Sequence, residues 1–480
     1  LLSFLVMLAV SVLLDAAVRP RRRGGRRWQG MLLHGLATAA LFGMILTISG
    51  NPPVAALLAV AVAALLTIVS NAKHAMLGEP LLFSDLALFA WVFRHPRFYL
   101  TALTAQQRWM IALGAPAVPI LLAATFVTRL APHGVGLVMM AMAIAGLLWL
   151  PGRWPIARVP DVEADLRDYG LLATLLLYWI RWRAIRDPEP CADGDRAAPD
   201  APELIVIVQC ESFADPAALV GATDNILPGL ARARAAAWRW GGLQVSGFGA
   251  YTMRTEYGVL FGRDEEALGF RRYDPYLSAS GETSYALPAR LAACGFRSFF
   301  VHPHDMRFYG RDKLMPASGF DRLIGPEGFP PLPPGRRYID DLTLGAELSR
   351  LIDAAAGPTL LYAVTMENHG PWIRDPATGS HGGIDAYLHH LRGSDAMLSS
   401  LIDRLSGAGR RAMLVFFGDH RPSIPGVTKP GGDRHTPYVV LRFAADGSVL
   451  ATADGPADLT PAELHHVVLD AVLESPSADR

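Results

Sequence analysis

The chain has 480 residues, 51% of them hydrophobic and 18% charged, with a mean hydropathy of +0.26. Soluble domains carry about 25% charged residues, so this composition argues against a wholly soluble or disordered protein. Its 44 basic and 44 acidic residues cancel, but residues 1–150 hold 11 Lys/Arg against 3 Asp/Glu, leaving 33 and 41 for residues 151–480. A nucleic-acid binder needs a basic face on its folded part; the second part is net acidic, so nucleic acid is not expected as a partner. Cys191, Cys210 and Cys294 lie far apart, with neither a disulfide framework nor zinc-ribbon spacing.

Five apolar runs open the chain: Leu1–Val18, Met31–Ile48, Val54–Val69, Trp109–Val127 and Val135–Leu150. A membrane-spanning helix needs about 20 such residues, and these runs lack the polar stripe of a soluble helix, so about five crossings are expected within residues 1–150. The segment Glu79–Tyr99 mixes apolar residues with Asp85, Arg94, His95 and Arg97 and reads as interfacial or re-entrant. The Arg-rich loop Arg19–Arg27 belongs on the cytoplasmic side. Five crossings would put it on the same side as everything after residue 150, so the span count and the charge rule conflict. Either one run does not cross or Leu171–Ile180 is a further crossing; otherwise Leu171–Ile180 reads as a helix lying in the interface, within a juxtamembrane helix and linker over residues 151–202.

Pro188–Pro202 is rich in Pro, Asp and Ala, as linkers are. Beyond it, short β-type runs alternate with helical stretches, which predicts an α/β domain with a mostly parallel sheet over residues 203–445, followed by a strand and helix extension over 446–480. Four runs each deliver polar groups at their ends. Leu204–Val208 leads to Glu211, Ser298–Val301 to His302, Leu360–Val364 to Glu367, Asn368 and His369, and Met413–Phe417 to Gly418, Asp419 and His420. Ligands of open α/β sheets collect outside the carboxyl ends of the strands, so these groups are expected to converge.

Glu211, Asp419 and His420 offer oxygen and nitrogen donors suited to a divalent ion such as Mn²⁺ or Zn²⁺, with at least one position left open for a reacting group. The glycine-rich stretch Gly247–Gly262 supplies two candidate hydroxyls, Thr252 and Thr255, on the first turn of a predicted helix.

In these residues the soluble part resembles the catalytic domain of lipoteichoic acid synthases and related phosphoglycerol transferases, within the alkaline phosphatase and sulfatase superfamily. The resemblance spans about residues 203–445 and extends to the layout of the preceding apolar helices. It rests on Cys-Glu-Ser at 210–212, on Thr252 followed four residues later by Glu256, and on Gly-Asp-His at 418–420. It implies that Thr252 is the nucleophile, and a metal ligand with Glu211, Asp419 and His420. It further implies that His302 and Arg311, nine residues apart, hold the phosphoglycerol group, with Tyr309 where the family usually has Trp. Asn368 and His369 would touch the leaving or attacking oxygen, and His435 resembles a histidine beside the metal in related phosphoethanolamine transferases.

The resemblance thus implies a membrane enzyme with one divalent ion, Mn²⁺ favoured and Mg²⁺ or Zn²⁺ compatible. It would move phosphoglycerol from phosphatidylglycerol through a phosphothreonine to a cell-envelope glycan or polymer, with its catalytic domain on the extracytoplasmic side of the bacterial inner membrane. A phosphoethanolamine transferase on the same fold and a catalytically inactive tethered binding domain are the alternatives. No Cys/Ser-x-Pro-x-Arg motif accompanies any cysteine or Thr252, so sulfatase chemistry is not expected.

Overall fold

A computed structural model of the protein describes residues 1–21, 24–86, 116–191, 196–221, 226–372, 382–451 and 455–473. They divide into two units, Leu1–Arg186 and Asp187–Arg480. In the first unit the apolar runs are helices: α1 (Leu2–Ala16), α2 (Trp28–Ser49), α3 (Pro52–Leu77) and α4 (Leu130–Trp149). Local chemistry sets their ends. Gly50 and Gly78 stop α2 and α3 in left-handed conformation, and the Asn51 side chain accepts from Val54 N–H to open α3, with Pro52 as its first residue. Among the described residues three helices are long and apolar enough to cross a membrane: α2, α3 and the stretch Leu130–Arg153. The first run forms a shorter helix of 15 residues. Of the fourth run, residues 109–115 lie outside the described residues and 116–124 are helical. The expected interfacial segment lies outside them from residue 87 onward.

Helices α2 and α4 approach through glycine. A Cβ on Gly43 would sit 2.8 Å from the Gly136 carbonyl oxygen, so only small residues permit this crossing. Two further helices follow, α5 (Val162–Tyr169) and α6 (Leu171–Ala184). Asp15, buried at the end of α1, accepts from Leu171 N–H at 2.8 Å and from Arg26 Nε at 2.9 Å, while Arg26 also donates to the Leu166 carbonyl at 2.7 Å. One arginine of the basic loop therefore joins helix ends within this unit.

The second unit is built on a seven-stranded sheet in the order β2-β7-β6-β1-β5-β3-β4. The strands are β1 (Leu204–Cys210), β2 (Arg239–Gln244), β3 (Arg297–Val301), β4 (Arg322–Ile324), β5 (Thr359–Val364), β6 (Ala412–Gly418) and β7 (His435–Phe443). β6, β1, β5, β3 and β4 run parallel, and at one edge β7 runs antiparallel to both its neighbours, β6 and β2. Every residue of β1 is buried: Ile205 and Ile207 enter the core on one face, Leu204, Val206 and Val208 the core on the other. This two-sided burial explains the unbroken apolar runs of the parallel strands.

Helices α7 (Pro228–Ala236), α8 (Thr252–Phe261), α9 (Arg311–Ala317), α10 (Asp341–Asp353), α11 (Ile384–Ser406) and α12 (Pro461–Val472) cover the sheet. The four strands singled out by sequence are the adjacent set β6-β1-β5-β3, each one or two residues longer than its apolar run. Residues set apart by sequence as linker and extension are tied together here. Ala198 N–H donates to the Val472 carbonyl at 2.8 Å, and Leu464, Val468 and Val472 of α12 belong to the main core.

Candidate active site

The adjacent ends of β1 and β6 bring Glu211, Asp419 and His420 into one buried cluster whose ligand atoms lie within 4.8 Å of one another. His420 Nε2 is 3.4 Å from Glu211 Oε1 and 3.6 Å from Asp419 Oδ2. His420 Nδ1 faces the Arg421 carbonyl at 3.2 Å, so a proton on Nδ1 leaves the Nε2 lone pair pointing into the cluster. Asp419 Oδ1 accepts from the Ser212 and His420 backbone N–H groups, both at 2.8 Å, whereas the buried Oδ2 has no hydrogen-bond partner.

Burial, followed by the neighbouring Glu211 charge, pushes Asp419 up to about 7. Burial works against charge on His420, yet Asp419 and Glu211 hold it above its ordinary value. Two buried carboxylates, one with an orphaned oxygen, together with an inward imidazole nitrogen form a donor set that fits a divalent cation.

The candidate hydroxyls part company here. Thr252 is the first residue of α8, buried, and its hydroxyl faces the Asp419 carboxyl and favours the ionised form. Thr255 donates to the Asp419 backbone carbonyl at 2.7 Å and is thereby occupied. Ser212 (φ +52°), next to Glu211, and Tyr251 (φ +79°), next to Thr252, hold left-handed backbone, as does Tyr309 (φ +58°). Such strain persists only where surrounding structure enforces it, and it gathers at functional sites.

A second layer lies at the ends of β3 and β5. Arg311 grips Glu256 with Nε to Oε1 at 2.9 Å and Nη2 to Oε2 at 2.6 Å, and its Nη1 meets His302 Nε2 at 3.2 Å. His302 Nδ1 faces the Val364 carbonyl at 3.0 Å; burial and then the Arg311 charge hold this imidazole well below its usual value, so it is neutral and accepts from Arg311. Three of the five guanidinium N–H groups are thus engaged, and one remains on each terminal nitrogen. The Tyr309 ring lies 5.2 Å from the guanidinium carbon.

His369 Nδ1 lies 2.8 Å from the Gly370 carbonyl and 3.3 Å from the Tyr338 hydroxyl. Asn368 is fully buried; its Oδ1 accepts from Trp372 Nε1 at 2.9 Å, and its Nδ2 has no partner. His435 stands apart from the cluster. Its Nδ1 is 2.5 Å from Asp433 Oδ1, its Nε2 is 3.7 Å from Asp458 Oδ2, and it is 37% exposed.

Sequence reasoning passed over several supports. Thr365 Oγ1 accepts from Glu211 N–H at 3.0 Å, and its position directly after β5 was a usable signal. Tyr276 donates to Glu256 Oε1 at 2.6 Å from a stretch of short turns that carried none.

Residues 203–466 match the sulfatase family, and the chain belongs to it, within the alkaline phosphatase superfamily that its motifs pointed to. Over 90% of its length it is 30% identical to the capsular polysaccharide biosynthesis protein RkpI of Rhizobium meliloti, of which it covers 86%. Among solved structures it is similar to the integral membrane protein lipooligosaccharide phosphoethanolamine transferase A of Neisseria meningitidis. That likeness has a TM-score of 0.51 at 13% identity and covers 97% of this chain and 95% of that one. It is also similar to the phosphoglycerol transferase GacH of Streptococcus pyogenes, with a TM-score of 0.47 at 17% identity, covering 57% of this chain and 76% of that one. The expected fold, apolar helices followed by a sulfatase-like α/β domain with a mostly parallel sheet, is the fold observed.

Proposed function

We propose that this chain is a membrane-bound transferase that moves a phosphoglycerol group from phosphatidylglycerol, through an ester on Thr252, to a hydroxyl of an envelope glycan. The observation that carries the reading is the buried Glu211, Asp419 and His420 cluster, with Thr252 opening α8 close enough to the Asp419 carboxyl for its hydroxyl to favour the ionised form. A divalent ion, for which Mn²⁺ is the favoured candidate, would be held by these three side chains and would lower the pKa of a hydroxyl bound beside them.

Thr252 Oγ1 loses its proton and attacks phosphorus, the bond from phosphorus to the diacylglycerol oxygen breaks, and that oxygen takes up a proton. An acceptor hydroxyl then attacks the same phosphorus, loses its proton, and displaces Thr252. We assign the giving and taking of that proton to His369 Nε2, the ring nitrogen that the Gly370 carbonyl does not engage. The free N–H groups of Arg311 and the unpartnered Asn368 Nδ2 are donors for non-bridging phosphate oxygens. Tyr309 and His302 shape the glycerol end, and His435 serves the acceptor side. Cys210 is buried at the end of β1, its thiol pushed well up by burial, which speaks against a cysteine-derived sulfatase nucleophile.

The apolar helices support a multi-pass protein of the bacterial inner membrane. We assign the catalytic unit to the extracytoplasmic side, where lipid headgroups and envelope glycans meet. The name of the rhizobial relative supports a glycan acceptor, and the meningococcal neighbour keeps phosphoethanolamine as the competing headgroup.

The test is mass spectrometry of the full chain, reconstituted with Mn²⁺ and vesicles of phosphatidylglycerol or phosphatidylethanolamine. A phosphoglycerol ester on Thr252 is expected. A phosphoethanolamine ester there would transfer the reading to the competing headgroup, and no adduct with either lipid would sink it.

A further inference from the structure

A cavity of about 420 Å³ lies beside α8, lined by Arg254, Tyr257 and Gly258 of that helix but not by Thr252, Glu211, Asp419 or His420. Four arginines border it, Arg254, Arg263, Arg272 and Arg434, against only two carboxylates, Asp264 and Glu265. Some of this charge is already balanced: Arg272 pairs with Glu265 at 3.2 Å, and Arg263 with Glu282 at 2.8 Å. Arg254 lies buried with its guanidinium 3.9 Å from the Tyr251 ring centre, and its Nε donates to the Tyr273 carbonyl at 3.2 Å. Arg434 donates to the Ser246 carbonyl and has no carboxylate partner among the described residues.

Arginine offers donors only, in a planar fork matched to carboxylate and phosphate oxygens. A cavity bordered by Arg434, which has no carboxylate partner among the described residues, and flanked by Tyr257, Val245 and Leu268, suits a ligand with an anionic group on a compact, partly apolar ring. Its place in the chain ties it to the catalytic cluster. Residues 244–246 line the cavity, while a Cβ on the next residue, Gly247, would lie 3.3 Å from His420 Cβ; the same segment then leads through Tyr251 into Thr252. A ligand seated here is separated from the cluster by one loop.

We propose that this cavity is an acceptor subsite, binding a negatively charged sugar residue (a uronate or a sugar phosphate) of the glycan that receives the transferred group. The inference rests on the transfer reading for its biological sense, but its test reads binding alone. Trigalacturonate and maltotriose are titrated calorimetrically into the full-length protein in detergent.

Trigalacturonate is expected to bind at least about tenfold more tightly than maltotriose, with affinity falling as salt rises. Arg434→Gln removes about tenfold of that preference, Arg434→Lys restores part of it, and both variants keep the wild-type unfolding midpoint. Equal binding of the two trisaccharides, or an unchanged preference in Arg434→Gln, overturns the subsite. Adduct formation on Thr252 is scored separately in preparations without sugar; its failure would sink the transfer reading and leave the binding result standing.

Discussion

Arg311 and Glu256 meet in a two-point ion pair with side chains 2% and 0% exposed, between the strand end that carries His302 and the helix that carries Thr252. The Glu256 carboxylate also accepts from Tyr276 and, at 3.3 Å, from Gln209, so the pair sits in a satisfied network. Removing one partner of such a pair leaves a buried uncompensated charge, at a cost of about 3–5 kcal/mol. Glu256→Ala should therefore lower the stability of the catalytic unit by that order, measured by denaturant unfolding. Arg311→Met, which removes a charge but fills the volume, should cost the same or less while still weakening lipid use. Wild-type stability in Glu256→Ala would show that the pair is not the support described.

The two threonines of α8 should separate cleanly. Thr252→Ala should lose roughly 10³-fold or more of transfer activity, the scale of a lost nucleophile, with little change in stability. Thr255→Val removes the hydroxyl that donates to the Asp419 carbonyl and should cost about 1–2 kcal/mol of stability while leaving an ester on Thr252 detectable. Lipid turnover and melting temperature, measured on both variants, check the pair; the reverse pattern would move the nucleophile to Thr255.

Much of this arrangement was legible because parallel strands buried on both faces are unbroken apolar runs, and β1, β3, β5 and β6 each announce their end with a polar group. Glu211, Asp419 and His420 could be read as one donor set for the same reason. Spacing could pair Thr252 with Glu256, but not show that Glu256 serves Arg311, because that contact joins residues 55 positions apart through side chains alone. Tyr276 and three of the cavity arginines, Arg263, Arg272 and Arg434, were opaque: they come from short turns and loop ends without periodicity, where only the folded chain decides which way a side chain faces. The role of Arg26 was hidden similarly, since a basic loop reads as a topology signal whether or not one of its members caps a helix junction.

Metal should be a structural partner as well as a reactant. With no cation, Asp419 Oδ2 is a buried acceptor without a donor beside a second carboxylate. A ligand that binds only the folded state stabilises by about 2.7 kcal/mol at a concentration one hundred times its Kd. Mn²⁺ should raise the unfolding midpoint of wild type, and chelation should reverse the rise. Asp419→Asn should abolish the metal-dependent shift, and a shift of wild-type size in that variant would remove Asp419 from the metal site.

Acid should weaken the catalytic unit partly through His465, a buried residue of α12 whose Nδ1 lies 2.9 Å from the Val259 carbonyl of α8. Burial holds it down at about 3 despite that carbonyl, with His466 and Arg290 adding to the depression. The unfolded chain takes up this proton near pH 6.5 and the folded one only near 3. Its contribution is therefore present above 6.5 and is lost as pH falls from there towards 3. His465→Gln, which keeps a donor for Val259 but cannot titrate, should show a shallower fall in unfolding midpoint between pH 6.5 and 4.5. Parallel curves for the two proteins would assign the acid sensitivity elsewhere.

The contact between α8 and α12 also depends on a missing side chain. Gly258 faces Pro461, the first residue of α12, and a Cβ there would lie 2.5 Å from the Pro461 Cβ. Alanine favours a helix interior by about 1 kcal/mol, yet here the added methyl must push the two helices apart, at about 1–3 kcal/mol for an overpacked core. Gly258→Ala should therefore destabilise by up to about 2 kcal/mol despite its better propensity. Because Gly258 and Pro461 both line the arginine-bordered cavity, the same change should weaken trigalacturonate binding. A stabilised Gly258→Ala protein would mean that the helices yield without strain and that the close approach is incidental to the cavity.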